Sequence, residues 1–243
     1  MCAVIPAAGR GTRLGHDLPK IMIGVADGVT VWDVLRERLT PSAAHVHVVV
    51  SPSGEGPFTR LVSGRAGVSV SVQREPTGMG DAIFGATSYW AGYDTILVVW
   101  GDQANLSAET VRRVVAAHPG KGLTVPLVAM DDPYVEYELA GGELVRVRQS
   151  REGEECRPGG LSDIGVFCLA TGGLREAWER YTAGAPRGAA TGEVNFLPFL
   201  PYLSQVEGLP VTVVPVTDPD EARGINTADD LEFARRAYAR CRG

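Results

Sequence analysis

The sequence predicts an α/β protein built on a Rossmann-like, doubly wound and mostly parallel β-sheet with an inserted β-hairpin subregion. Strand-like and helix-like segments alternate through residues 1–121, which is typical of a parallel sheet covered by helices on both faces. The most hydrophobic run, at 95–100, is typical of a strand in the middle of such a sheet. Beyond residue 122 the strands follow one another more closely, and Gly141-Gly142 predicts a hairpin turn.

Apolar runs and turn residues predict the elements of the first part of the chain. The predicted strands are at 3–5, 45–50, 68–72 and 95–100. The predicted helices are at 31–39, 58–63, 81–91 and from Ser107 onward. Pro41 ends the first helix, and the Ser107 hydroxyl suits the N-cap of the last. We expect the ends of these strands to meet at one edge of the sheet.

The second part of the chain has a different order of elements. The predicted strands are at 123–129, 134–139, 144–148, 162–169 and 211–216. The predicted helical segments are at 174–181, at 191–203 and from Thr227, where Thr227 and Asp230 form a variant of the capping box. No linker rich in Pro, Gly or Ser divides the chain. We therefore predict one domain over 1–243, with a first half at 1–121, a second half at 122–227 and a C-terminal helix at 228–243.

The composition argues against several classes of function. The formal net charge is −6, which argues against non-specific binding of nucleic acid. The 4 cysteines are scattered without a C-x-x-C pair, so we expect neither a disulfide framework nor a zinc site, and we predict a cytoplasmic protein. The sequence has no signal-peptide pattern and no apolar run of membrane-spanning length, so no membrane partner is expected. His45 and His47 share a strand face with no third ligand nearby in sequence, which favours a structural pair over a metal site.

The first predicted strand leads into a loop of small residues with two glycines. The loop comprises Ala7, Ala8, Gly9, Arg10, Gly11, Thr12 and Arg13, and Pro19-Lys20 follow it. Successive backbone N–H groups in such a loop bind anions, and Arg13 and Lys20 add charge that neutralises phosphoryl oxygens. The P-loop signature is missing, as is the third glycine of the dinucleotide fingerprint. The pattern predicts a polyphosphate-binding loop, and the alternative is a simple glycine-rich turn.

Polar residues follow two further predicted strands. Gln73 offers a donor and an acceptor in one plane, which suits the edge of a nucleobase such as uracil. Gly78 and Gly80 would let the backbone approach the base or ribose, and the alternative is an ordinary turn before a helix. Asp102 follows the central strand, and it is free to bind Mg²⁺ because Ser107 is the better helix cap.

With these residues in this order, the chain resembles the sugar-1-phosphate nucleotidylyltransferases. The matching segments are Ala7-Ala8-Gly9-Arg10-Gly11-Thr12-Arg13-Leu14, Pro19-Lys20, Gln73, Thr77-Gly78-Met79-Gly80, Gly101-Asp102 and Gly224-Ile225-Asn226. The resemblance spans 4–235 and looks closest to the N-terminal uridylyltransferase domain of the bifunctional N-acetylglucosamine-1-phosphate enzyme. It implies the nucleotide-diphospho-sugar transferase fold, with the nucleotide bound by the first half and the acceptor by the second. The acetyltransferase half of that enzyme has no counterpart in this sequence, so we expect one activity.

The resemblance implies a role for each matching residue. The catalytic residues would be Arg13, Lys20 and Asp102, and Asp102 and Asn226 would hold Mg²⁺. The nucleotide would be bound by Ala7, Ala8, Gly9, Arg10, Gly11, Thr12, Gln73, Gly78, Met79 and Gly101. Asp163, where the family usually has Asn, would lie by the sugar phosphate. Gln149, Glu193 and Asn195 are further candidate acceptor contacts, and a structural cap is the alternative for each.

The acceptor half departs from the family pattern. Residues 133–137 replace a Gly-Tyr-Gly segment that contacts the amino sugar, and Gln149 replaces an acidic sugar contact. We therefore do not transfer specificity for N-acetylglucosamine.

The prediction for function is transfer of a nucleotidyl group from an NTP, with UTP favoured, to a phosphorylated acceptor such as a sugar 1-phosphate. The alternatives are a cytidylyl- or guanylyltransferase acting on a modified sugar phosphate, polyol phosphate or phosphonate, and a non-catalytic nucleotide-binding regulatory module. The missing third glycine argues against a dinucleotide-binding oxidoreductase. The oligomeric state stays open, with a homodimer as one alternative.

Overall fold

The computed structural model of the chain describes residues 1–9 and 19–242, and its central element is a 10-stranded mixed β-sheet. The strands of this sheet are β1 Cys2–Ala7, β4 His45–Val50, β5 Val68–Val72, β6 Thr95–Val99, β7 Leu123–Met130, β8 Val135–Ala140, β9 Glu143–Gln149, β10 Gly160–Asp163, β11 Val166–Ala170 and β12 Val211–Pro215. A separate small ribbon pairs β2 Gly24–Ala26 with β3 Val29–Thr30.

Helices connect the strands and pack against the sheet. The α-helices are α1 Val31–Leu39, α2 Pro52–Val62, α3 Met79–Gly85, α4 Thr87–Trp90, α5 Ala108–Ala117, α6 Leu174–Gly184, α7 Phe199–Gln205 and α8 Ala228–Arg242. Short 3₁₀ segments are at Lys20–Met22, Ser150–Glu152 and Pro219–Ala222. Within the described residues, no helix is both long enough and apolar enough to cross a membrane.

The strand order is β5-β4-β1-β6-β11-β7-β10-β8-β9, and β12 pairs with β7 off this path. Strands β5, β4, β1 and β6 are parallel to one another, whereas β11 enters antiparallel between β6 and β7. Most strands of the sheet run in one direction, namely β1, β4 to β8 and β12. The other three, β9 to β11, run in the opposite direction. The predicted α/β fold with a mostly parallel sheet and a hairpin subregion is therefore confirmed.

Strand β1 shows why the sheet is covered on both faces. Its side chains alternate between two apolar clusters: Ala3 and Ile5 belong to one, and Cys2 and Val4 belong to the other. All four are fully buried. A strand with both faces buried needs helices on each side of the sheet, as in doubly wound folds.

One predicted strand proves to be two. Residues 162–169 are interrupted at Ile164-Gly165, which separates β10 from β11. Gly165 has a positive φ of 72°, and its N–H donates to Asp163 Oδ1 at 2.7 Å. Because the chain turns here, β10 pairs with β7 and β8, while β11 pairs with β6 and β7.

Other boundaries differ from the predictions as well. The predicted helix at 58–63 starts earlier, at Pro52, where a missing N–H is tolerated in the first helical turn. The predicted helix at 81–91 is divided at Ala86, and residues 191–198 precede α7 rather than forming part of it. The predicted caps are confirmed: the Thr110 N–H donates to Ser107 Oγ at 3.0 Å, and Thr227 and Asp230 bond reciprocally.

Candidate active site

A cleft of about 410 Å³ opens at the carboxyl ends of β1, β5 and β6. Open α/β sheets bind their ligands at this edge. The first half of the chain lines it with Ala7, Ala8, Gly9, Lys20, Gln73, Gly78, Met79, Gly101 and Asp102, among others. The second half lines it with Tyr134, Gln149, Arg151, Ser162, Asp163, Glu193 and Asn226, among others. Residues from both parts of the chain thus line the same cleft.

Lys20 bonds to two residues that lie far from it in sequence, and all three line the cleft. Its Nζ lies 3.0 Å from Asp102 Oδ2 and donates to Asn226 Oδ1 at 2.7 Å. The Ile225 N–H donates to the Asp102 carbonyl at 3.0 Å, which fixes the loop that carries Asn226. A Cβ atom on Gly224 would lie 3.2 Å from Asp102 Oδ1, so the small residue lets this loop approach closely. The structure therefore brings Lys20, Asp102 and Asn226 together.

Asp102 and Asn226 are suited to a divalent cation. One carboxylate and one amide oxygen, both in the cleft, are oxygen ligands of the kind that Mg²⁺ uses together with substrate phosphates. Among the described residues, no group of three or more His, Cys, Asp or Glu side chains is arranged to hold a metal by itself. The donor set thus fits a cation that the protein shares with a phosphate substrate.

The orientation of the Gln73 amide is determined by its neighbours. Its Nε2 donates to the Gly78 carbonyl at 2.9 Å and to Thr77 Oγ1 at 3.2 Å. A carbonyl oxygen only accepts hydrogen bonds, so the nitrogen must face Gly78 and Oε1 remains available as an acceptor. Gly78 has a φ of 118°, and a Cβ atom there would meet the Glu193 side chain at 3.2 Å.

The end of β1 touches the loop after β6 beside the cleft. A Cβ atom on Gly101 would lie 2.9 Å from Ala7 Cβ, so this close approach requires glycine. Met79 begins α3 and also lines the cleft. The remaining residues of the predicted phosphate loop, Arg10, Gly11, Thr12 and Arg13, lie outside the described residues.

The predicted acceptor residues divide into two groups. Gln149, Asp163 and Glu193 line the cleft, whereas Asn195 does not and instead accepts a hydrogen bond from Arg151 at 2.9 Å. Burial raises the pKa of the Asp163 carboxyl, against the opposing effects of the Gly165 N–H and the Tyr137 hydroxyl. Burial also raises the pKa of Glu193. Asp163 therefore shapes the turn between β10 and β11 as well as facing the cleft.

Sequence reasoning missed several polar residues of the cleft, among them Arg151 and Gln103. Arg151 follows β9 in a stretch for which the sequence pattern predicts neither a helix nor a strand. Gln103 follows Asp102; it is 4% exposed, and its Oε1 has no hydrogen-bond partner among the described residues. Arg151 lies only two positions after Gln149, which is a predicted acceptor residue. This short spacing is the one local signal that pointed toward Arg151.

The histidine pair lies in the sheet, away from the lining of the cleft. Ser69 Oγ lies 2.6 Å from His45 Nε2 and 2.7 Å from His47 Nδ1, and Ser71 Oγ lies 2.8 Å from His47 Nε2. These contacts join β4 to β5 and give both rings a structural role.

The sheet order, together with a cleft of this kind at its edge, defines the chain as an α/β nucleotidyltransferase. Residues 3–187 match the family model of the MobA-like NTP transferase domain, and the chain belongs to this family. The fold also matches a structure described as a glucose-1-phosphate thymidylyltransferase from Bacillus anthracis in complex with a sucrose. That match has a TM-score of 0.73 at 13% identity and covers 97% of this chain and 94% of that chain. Both comparisons are consistent with the predicted sugar-phosphate nucleotidylyltransferase superfamily.

Proposed function

We propose that this protein transfers a nucleotidyl group from an NTP to a phosphorylated acceptor, with a sugar 1-phosphate as the favoured acceptor class, and releases pyrophosphate. The observation that carries the proposal is the meeting of Lys20, Asp102 and Asn226 in a cleft that Ala8 and Gly9 also line. These groups neutralise phosphoryl charge and bind a cation, and residues of both halves of the chain line the cleft. The wall formed by the first half binds the nucleotide, and the wall formed by the second half binds the acceptor.

The reaction needs positioning and charge neutralisation more than a base. An oxygen of the acceptor phosphate attacks the α-phosphorus, a new P–O bond forms, and the bond to the β-phosphate breaks as pyrophosphate leaves. The attacking phosphate is already ionised at pH 7, so no strong general base is required. Lys20 stabilises the charge that develops on the phosphoryl oxygens. Mg²⁺, held by Asp102 and Asn226, would supply further neutralisation of the same charge.

Gln73 supports UTP as the favoured nucleotide. No donor among the described residues bonds to its Oε1. This oxygen is an acceptor, which matches the N3–H of uracil, whereas N3 of cytosine is itself an acceptor. Thymine presents the same N3–H, so dTTP is the natural competitor.

A pyrophosphate-release screen tests the proposal. UTP, dTTP, CTP, GTP and ATP are each combined with Mg²⁺ and a panel of sugar phosphates, polyol phosphates and phosphonates. We expect acceptor-dependent release, fastest with UTP and at least one sugar 1-phosphate, and none when the acceptor is omitted. A preference for CTP or GTP would overturn the base assignment. Nucleotide binding with no release in any combination would indicate a non-catalytic module and overturn the enzymatic proposal.

A further inference from the structure

Glu193 presents a carboxylate to the cleft for which the described residues provide no hydrogen-bond donor. The residue lines the cleft and is half-buried. Its backbone groups bond to Gly188 and Thr191, but no described residue donates to its Oε1 or Oε2. Burial is the largest of the effects that raise the pKa of this carboxyl. The carboxylate has therefore lost part of its water without gaining a donor from the described part of the chain, which is costly unless a ligand supplies one.

A small loop that closes on itself holds Glu193 in this position. The Gly188 N–H donates to the Glu193 carbonyl at 2.8 Å, and the Gly192 N–H donates to the Gly188 carbonyl at 2.8 Å. Arg187 and Val194 form a β-bridge, and Arg187 Nη1 donates to the Gly192 carbonyl at 3.0 Å. The backbone that carries the carboxylate is thus fixed before a ligand binds, which lowers the entropic cost of binding.

The Glu193 carboxylate lies where the two proposed walls of the cleft meet. A Cβ atom on Gly78 would lie 3.2 Å from Glu193 Oε2, so the side chain reaches the loop after β5. Gly78 belongs to the wall that we propose for the nucleotide, whereas Glu193 belongs to the wall that we propose for the acceptor. A substituent of the acceptor that points toward the nucleotide would therefore meet this carboxylate.

The charges around Glu193 favour a cation. Besides burial, Arg151 lowers the pKa of Glu193. Glu152 and Asp81 both raise it. Arg151 also has Glu152 as an ion-pair partner, at 3.6 Å between Nε and Oε1. One positive and two negative side chains therefore act on Glu193, and a further positive charge would stabilise the ionised carboxylate.

The groups that share the cleft limit where this positive charge can come from. The bases of the common NTPs are uncharged at pH 7 and the triphosphate is negative, so the nucleotide does not supply it. The Lys20 ammonium bonds to Asp102 and Asn226 instead. Within the described ranges, no group of three or more His, Cys, Asp or Glu side chains is arranged to hold a metal there. The acceptor is the remaining source, and an aliphatic amine is protonated at pH 7.

We propose that the acceptor carries a protonated amino group besides its phosphoryl group, and that the Glu193 carboxylate binds this ammonium. The inference rests on the proposed function and deepens it, because it names the chemical class of the acceptor. An amino sugar 1-phosphate with a free amine has both groups, and so has an aminoalkyl phosphonate. An N-acetylated amino sugar does not qualify, because its amide nitrogen carries no charge.

Steady-state kinetics with two matched pairs of acceptors test the inference, with Mg²⁺ and the NTP that gives the fastest release in the screen. Glucosamine 1-phosphate and glucose 1-phosphate differ in an amine against a hydroxyl group, as do 2-aminoethylphosphonate and 2-hydroxyethylphosphonate. We expect kcat/KM to favour the amine by about 10- to 100-fold in one pair, the range for one hydrogen bond to a charged group. The pair that shows the preference identifies the source of the amine.

Glu193→Gln removes the charge and keeps the size of the side chain. The ratio of kcat/KM for amine over hydroxyl should fall to less than about 3-fold, because the charge-assisted contact is lost. Glu193→Ala also removes the charge and gives the same test if Glu193→Gln does not fold. Glu176→Gln is the matched control, since Glu176 is exposed on α6 and does not line the cleft. It should keep the wild-type ratio.

The inference and the proposed reaction fail in different ways. Wild-type turnover without a preference for the amine in either pair, or a preference that Glu193→Gln keeps, would overturn the inference while the reaction stands. If no acceptor is turned over, the same four compounds are titrated by calorimetry with α,β-methylene-UTP present. Tighter binding of an amine than of its hydroxyl partner by Glu176→Gln, but not by Glu193→Gln, would then support the ammonium site. Equal binding of both members of each pair would overturn it.

Discussion

Lys20 connects the start, the middle and the end of the chain within the cleft. Its ammonium bonds to both side chains that we propose as metal ligands, Asp102 and Asn226. A divalent cation that uses both oxygens must therefore compete with the ammonium or share the oxygens with it. In the proposed reaction, the same ammonium would be free to bind phosphoryl oxygens if Asp102 and Asn226 held a cation.

Lys20→Met should separate the role of Lys20 in binding phosphoryl oxygens from its competition with a cation. We expect kcat to fall at least about 100-fold, because one preorganised electrostatic donor is lost from the transition state. Mn²⁺, used as a paramagnetic probe without nucleotide, should bind about 5-fold more tightly, since a part-exposed ion pair of about 1 kcal/mol no longer competes. Electron paramagnetic resonance titration measures the second effect independently of turnover.

Lys121→Met is the control for Lys20→Met, because Lys121 is exposed and does not line the cleft. It should leave both kcat and Mn²⁺ affinity unchanged. A Lys20→Met protein with wild-type kcat would show that the catalytic assignment is wrong.

Asn195 and Gly80 show the limit of assigning roles to single residues from sequence. Both were candidates for the site, yet Asn195 bonds to Arg151 behind the cleft, and Gly80 packs against a tryptophan ring. The residue types suited a binding role in each case. Their neighbours in space, which lie far away in sequence, decide what they contact.

Helix α3 combines a site residue, Met79, with a tightly packed glycine. A Cβ atom on Gly80 would lie 2.1 Å from the Trp178 ring, in a region where Phe84 and Trp178 stack at 4.7 Å between ring centroids. The second residue of the helix is therefore a glycine, because α6 approaches the helix closely at this position. Gly85, at the other end of α3, is exposed and has no atom within 4 Å of an added Cβ.

The two glycines of α3 should respond oppositely to alanine. Gly80→Ala should lower the free energy of unfolding by about 1–3 kcal/mol, because the added methyl group overpacks the core. Gly85→Ala should raise it by roughly 0.5 kcal/mol, because it removes backbone freedom from the unfolded chain without a clash. Urea denaturation followed by circular dichroism measures both, and equal effects of the two substitutions would contradict the packing argument.

The sheet contains a buried histidine, His47, whose protonation makes the stability of the protein depend on pH. His47 is fully buried between β5 and the Tyr89 ring, which stacks on it at 3.9 Å between centroids. Burial, with the neighbouring His45, lowers the pKa of His47 from 6.5 to about 4. The folded protein thus keeps this imidazole neutral where the unfolded chain would protonate it.

This lowered pKa makes the stability of the whole molecule fall in acid. The contribution of His47 is fully present above pH 6.5, is lost progressively as the pH falls to about 4, and is constant below that. The loss can reach about 3 kcal/mol. Urea denaturation at pH 7.5 and pH 5 should give a smaller pH dependence for His47→Gln than for wild type.

His118→Gln serves as the comparison for His47→Gln. Burial lowers the pKa of His118 as well, but this ring is half-buried at the end of α5 and bonds to Thr124. Its substitution should flatten the pH dependence less. If His47→Gln left the slope of wild type unchanged, the buried ring would not be the source of the acid sensitivity.

The sequence by itself determined most of the elements in the first half of this protein. The strands at 45–50 and 68–72, the helix at 31–39 and the cap at Ser107 are all found where the pattern predicts them. Apolar periodicity and capping are local properties, so neighbouring residues suffice to predict them. Parallel strands joined by helices also imply that their loops share one edge, which is why Lys20, Gln73 and Asp102 meet.

Only the tertiary structure decided how the second half completes the cleft. The insertion of β11 between β6 and β7, the turn at Gly165 and the placement of Arg151 each depend on partners distant in sequence. Antiparallel strand pairing and a side chain held by Asn195 leave no periodic pattern in the chain. The cleft wall that we propose for the acceptor therefore depends on long-range packing, whereas the wall that we propose for the nucleotide follows from local sequence.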